Sequence, residues 1–266
     1  MTMAIERTTI KVKKGARPNS PILIVGLPGI GNVGKLVAEH LRKELKAERI
    51  ATLYSPHFPH QALMLKNGSV RLVSNRFYLA KSPKKGGSDI IILTGDTQAV
   101  SPEGQYEVNS RIVEFFAKRL KGSFIYTVGG YNLGEPIVKE PRVFGNATSG
   151  KVIKGFKSTN VIFGKSRGVI WGSAGLIIAF AKMKGLDGLC IMGEVGPFDI
   201  DASAAKAVIT TLSKKLGLEI HTQNLDKMIE QTAKLVRELE KQAGMPAPLE
   251  SGTEAGSKEH RPSYIR

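Results

Sequence analysis

Cysteine is all but missing from this sequence: Cys190 is the only one. That excludes an internal disulfide framework and any CxxC metal site, and it fits a reducing compartment. Long apolar runs are missing as well. The longest, such as Ala174 to Ala181, fall far short of the ~20 residues that a bilayer-crossing helix needs. The opening stretch "MTMAIERTTIKVKK" is polar and charged, so no secretory signal and a cytoplasmic location are expected. Acidic residues are outnumbered, 23 against 39 Lys and Arg, for a net charge of +16. Such a balance favours anionic partners. The basic residues are nonetheless dispersed, and no RNA-binding aromatic motif interleaves them, which argues against specific nucleic-acid binding.

What is present is an alternation of buried strands and amphipathic helices. "PILIVGL" (21–27) reads as a buried strand, and "KLVAEHLRKEL" places Leu36, Val37, His40, Leu41 and Leu45 at helical spacing. Strands are predicted over 49–55, 69–81 and 89–96, and a helix over 104–120 opened by Ser101-Pro102-Glu103. Another strand at "SFIYTVGGY", a helix over 172–185, a strand over 186–194 and a helix over 201–217 follow. This succession predicts an α/β fold with a mainly parallel or mixed sheet covered on both faces. It spans 21–222, after a basic leader (1–20). Beyond it, Leu225, Ile229, Thr232, Val236 and Leu239 recur at steps of 4 and 3 in an amphipathic helix over 223–243. That seam either packs back on the domain or joins helices of several copies. Residues 244–266 lose periodicity and fill with Pro, Gly, Ser and charge, so a flexible tail is expected.

One loop carries two overlapping nucleotide signatures. "VGLPGIGNVGKLVAEHL" contains Gly29-x-Gly31-x-x-Gly34, the spacing of a dinucleotide-binding turn, and Gly29-x-x-x-x-Gly34-Lys35, most of a Walker A loop. Each lacks a partner. Leu36 stands where the magnesium-binding hydroxyl belongs, and the nearest carboxylate for a Walker B role, Asp96, follows Thr94-Gly95. The stretch "ATLYSPH" holds no acid for a ribose. The glycines then have two readings: a tight turn with close helix–sheet packing, or an anion loop of Gly29, Gly31, Asn32, Gly34 and Lys35 at a helix start.

The remaining chemistry is thin. Pro59 separates His57 from His60 in "SPHFPH" and keeps them off one helical face, so no metal site is expected. Gly172-Ser173-Ala174-Gly175 lacks the glycine two before the serine that a nucleophile elbow uses. Cys190 lies in an apolar strand and reads as a small core residue. Glu103, Glu135, Glu194 and Asp199 all follow predicted strands, where α/β ligand sites lie, but no pair has a spacing that demands acid–base work. No catalytic residue and no cofactor are assigned.

Taken in order, "VGLPGIGNVGKLVAEHL", "LYSPHFPHQ", "LTGDTQAVSPEGQYE", "YTVGGYNLGEP", "VFGNAT", "GSAGLIIAFAKMKGLDGLCIMGE" and "DASAAKAVITTLSKKLGLEI" resemble the PAC2 family, the archaeal proteasome assembly chaperones. The likeness covers about Pro21 to Ile220. It implies a three-layer α/β/α fold similar to that of purine nucleoside phosphorylases, without enzymatic activity. It also implies a homo-oligomer that engages α-subunits of the proteasome core particle, as an assembly chaperone or an ATP-independent activator. Other relatives have been labelled ATP-grasp enzymes, so the alternative implied is a carboxylate–amine ligase, or another nucleotide-dependent enzyme, using the Gly29–Lys35 loop. In the family, a C-terminal hydrophobic residue, a Tyr and a final residue enter pockets between α-subunits. Here the chain ends Ser263-Tyr264-Ile265-Arg266, with Tyr third from the end. Either Ile265 takes the penultimate position after Tyr264, ahead of Arg266, or tail docking is weak or absent here. Leu225, Ile229, Val236 and Leu239 would hold the oligomer together.

Overall fold

A computed structural model describes residues 6–84, 86–134, 140–164, 168–196 and 200–242, with side chains as far as 234. The first half contributes seven strands: β1 (Thr9–Val12), β2 (Ile22–Val25), β3 (Glu48–Tyr54), β4 (Ala62–Met64), β5 (Val70–Leu72), β6 (Asn75–Ala80) and β7 (Ile90–Gly95). The second contributes β8 (Phe124–Tyr131), β9 (Val143–Ala147), β10 (Val161–Phe163) and β11 (Asp187–Glu194). The helices are α1 (Val33–Glu44), α2 (Pro102–Glu114), α3 (Gly150–Lys154), α4 (Ser173–Met183), α5 (Ala202–Leu216) and α6 (Gln223–Gln242).

Nine strands form one sheet in the order β1-β3-β6-β7-β2-β8-β11-β9-β10. Its centre, β7-β2-β8-β11, is parallel, and β6, β3 and β1 extend it antiparallel on one side. The sheet is therefore mixed, as the sequence predicts. Successive residues of the central strands enter opposite cores: Leu23, Ile91, Leu93 and Cys190 join the side chains of α2 and α4. Ile24, Ile92, Leu189 and Ile191 join those of α1 and α5. Strands buried on both faces need continuous apolar runs, which is why "ILIV" and "IIIL" do not alternate. Strand β1 falls within the basic leader and pairs antiparallel with β3 at the sheet edge.

Local signals set the helix ends. Ser101 accepts a hydrogen bond from Gly104 N at 3.0 Å to start α2, and Asp201 accepts one from Ala204 N at 2.8 Å to start α5. Gly217 stops α5 with a left-handed φ of 64°. One expected strand differs. Residues 69–81 form two strands, because the backbone N–H of Ser74 donates to Asp96 at 2.9 Å and turns the chain between β5 and β6. Among the described residues, strand β5 pairs only with β4, in a separate hairpin.

The chain forms two units, Met1–Ile229 and Glu230–Arg266. In the first, the start of α6 is anchored: Leu225 is buried in the α1–α5 core, with Met228 and Ile229 packed against it. Lys206 pairs with Asp226 at 2.7 Å. In the second unit only the end of α6 is described. No helix among the described residues is long and apolar enough to cross a membrane.

Candidate functional site

The turn after β2 is shaped by contacts that no side chain larger than hydrogen permits. A Cβ on Gly34 would lie 2.6 Å from the carbonyl oxygen of Val128 in β8 and 2.9 Å from that of Leu27. A Cβ on Gly31, whose φ is 59°, would lie 2.8 Å from Val195. Asn32 also adopts a left-handed φ, 51°, immediately before α1. Gly29 is different: its backbone is extended, and a Cβ there would meet only Gln98 Nε2, at 3.6 Å. Two bonds fix the loop's carbonyls. Gln98 Nε2 donates to Pro28 O at 2.6 Å, and Asp201 N donates to Gly31 O at 2.8 Å.

This turn forms one wall of a cavity of about 200 Å³ at the carboxyl ends of β2 and β8, where open α/β sheets place their ligands. Gly29, Ile30 and Gly34 line one side, and Trp171, Gly172 and Ser173 line another. Val25, Val128 and Met192 add apolar surface. Gln98 spans the two walls, because its Oε1 also accepts from Ser173 N at 2.8 Å. Among the described residues no charged side chain lines the cavity, and Lys35 stands outside its lining. A nucleotide triphosphate needs cations around it, and the described lining supplies none. Sequence reasoning missed Gln98 and Trp171. Neither carries a motif, and Gln98 acquires its role only when β7 is placed beside β2.

The acidic residues are already engaged. Asp96 meets Arg71 through both oxygens, at 2.6 and 2.9 Å, and Arg76 at 2.8 Å. Burial alone would raise its pKa, but the bonds from Arg71, Ser74 N–H and Arg76 outweigh it and hold the carboxyl at about 2. Glu194, at the end of β11, accepts from the backbone N and the guanidinium of Arg142, which holds it below the usual range. Glu103 is exposed in the first turn of α2. Glu135 and Asp199 lie outside the described residues. Cys190 is fully buried, which pushes its thiol up to about 11. His57 packs against Gly104, while His60 is exposed. No cluster of three or more metal-ligating side chains occurs among the described residues. Tyr264, Ile265 and Arg266, and the side chains of Val236 and Leu239, also lie outside the described residues.

Residues 23–241 match the model of the PAC2 family. The chain belongs to the PAC2 family. Among solved PAC2-like structures, it is similar to Pyrococcus furiosus PbaB, an archaeal proteasome activator. The two are 41% identical, with a TM-score of 0.83, covering 88% of this chain and 99% of that one. It is also similar to Pyrococcus furiosus PbaA, an archaeal homolog of proteasome-assembly chaperone. Here the identity is 27% and the TM-score 0.70, covering 88% of this chain and 97% of that one. An uncharacterized protein of Methanocaldococcus jannaschii is 36% identical over 257 residues, 94% of this chain and 97% of its own length. The PAC2 match thus runs through both faces of the sheet and into α6.

Proposed function

We propose that this PAC2 protein is a non-enzymatic assembly chaperone or ATP-independent activator of the proteasome, acting as a homo-oligomer on the α-ring of the core particle. The observation that carries this reading is the 41% identity to an archaeal proteasome activator across 99% of that chain. The site chemistry supports it. The glycine-rich turn packs against neighbouring backbone, Asp96 and Glu194 are held by arginines, and the described cavity lining offers a phosphate no cation. The contact with the α-ring is assigned to the C-terminal residues Tyr264, Ile265 and Arg266. Association of copies is assigned to Val236 and Leu239 of α6, because Leu225 and Ile229, expected from the sequence to share that role, are taken up by the α1–α5 core of their own chain. Several tails on one oligomer multiply a weak contact through effective concentration.

The test is co-elution of the purified chain with archaeal core particles, with and without residues Pro262–Arg266. Binding by the full chain and its loss on deletion, with the oligomer intact by light scattering, is the expected result. Binding that survives the deletion moves the contact to the globular surface. No binding by the full chain overturns the reading.

A further inference from the structure

We propose that the cavity beneath Trp171 is a binding site for a small monocarboxylate with a compact apolar body, its carboxylate bonded by the hydroxyl of Ser173. The inference is independent of the proteasome reading. Two helices begin at the cavity wall, which Gly34, the second residue of α1, and Ser173, the first of α4, both line. The residues preceding them, Asn32 and Gly172, give no side-chain cap, and neither helix has an acid in its first turn. Gln98 Oε1 takes the first N–H of α4 and Ile30 O that of α1, and the following N–H groups of each first turn leave a fractional positive charge at the helix start.

Ser173 supplies the second, independent observation. It is 3% exposed and lines the cavity. Its backbone N–H is taken by Gln98 Oε1, but among the described residues its hydroxyl has no hydrogen-bond partner. It is also absent from the fully enclosed, unbonded groups such as Asn75 and Thr94, so it opens on the cavity. A hydroxyl so placed is a donor free for a ligand, and a carboxylate oxygen would accept its bond more strongly than a neutral acceptor does.

The rest of the lining decides the ligand class. No Lys or Arg borders the cavity among the described residues, so the positive charge on offer is fractional and suits a monoanion better than a phosphate. No acid borders it among the described residues either, and the net charge of +16 favours anions throughout. Val25, Val128 and Met192 supply an apolar floor, with Trp171 at the rim, 82% exposed. A volume of about 200 Å³ is below the roughly 300–1,000 Å³ of drug-sized sites, which restricts the occupant to a compact acid.

Trp171 is the only tryptophan of the chain, so its fluorescence reports on this cavity alone. The full chain is titrated with isovalerate at constant ionic strength, with isovaleramide and chloride as controls. A saturable change in Trp171 emission with the acid, and none with the amide or chloride, is expected. Ser173→Ala should weaken it about tenfold at unchanged melting temperature, because the hydroxyl makes no bond among the described residues. An N-acetylated dipeptide ending in leucine, run alongside, assigns the carboxylate to a chain end if it binds more tightly and to a free acid if it binds less tightly. Either result supports the site. No saturable change, an equal response to the amide, or undiminished affinity in Ser173→Ala would overturn the proposal.

Discussion

A Cβ placed on Gly26 would lie 1.9 Å from the carbonyl oxygen of Gly34. The start of α1 therefore rests directly on the end of β2, backbone against backbone, where nucleotide-binding proteins of similar sequence seat a phosphate. Gly26→Ala forces that contact apart and is expected to destabilise the fold by about 3 kcal/mol or more. Gly29→Ala has room and an unstrained backbone, so its effect should stay within about 0.5 kcal/mol. Urea denaturation of the two variants checks the contrast. Equal losses would show that the turn is not ordered by packing.

The Asp96 carboxyl predicts a loss of stability in acid. Its folded value, about 2, lies below the ordinary aspartate value of 3.8. The stabilisation is thus fully present above about pH 4 and is lost as the pH falls through 4 towards 2. After allowance for solvent screening it is on the order of 1–2 kcal/mol. In Asp96→Asn the chain should be less stable at pH 7 and should lose that part of the acid dependence, as followed by denaturation at stepped pH.

Gln98 joins Pro28 and Ser173 across the cavity. Gln98→Ala leaves a carbonyl and an N–H without this partner, so a cost of about 1–3 kcal/mol is expected. Ser173→Ala should cost far less. Paired melting curves distinguish a bridge that holds the walls from one that merely touches them.

Leu63 and Met64 are neighbours on opposite faces of the β4–β5 hairpin. Leu63 packs against the core beneath, while Met64 is 89% exposed, opposite Val70. Leu63→Ala is expected to cost about 1–2 kcal/mol, and Met64→Ser no more than about 0.5 kcal/mol. Chemical denaturation measures both.

Millimolar ATP with magnesium should leave the melting temperature unchanged. A nucleotide bound at a hundred times its Kd would add about 2.7 kcal/mol, which a thermal scan detects. Such a shift would revive the nucleotide reading of Gly29–Lys35.

Much of the fold was legible from short-range pattern. Continuous apolar runs marked β2, β7 and β11 as strands buried on both faces, and Ser101, Asp201 and Gly217 marked the ends of α2 and α5. The edge elements were less legible. Strands β4 and β10 have only 3 residues each, too few to set up a period, and β1 is a strand through its pairing with β3 rather than through its own composition. The break between β5 and β6 depends on Asp96, some twenty positions later in the chain.

Sequence alone determined the alternation of strands and helices, the capped helix ends and the PAC2 membership, because periodicity and capping act within a few residues. Only the tertiary structure decided that the glycine spacing serves backbone contact, that Asp96 is held by two arginines, and that Ser173 opens on a cavity with its hydroxyl unbonded among the described residues. Those outcomes depend on partners such as Pro28 and Ser173, 70 and 75 positions from Gln98. It is the strand order β7-β2-β8, fixed by burial on both faces of the sheet, that brings them together.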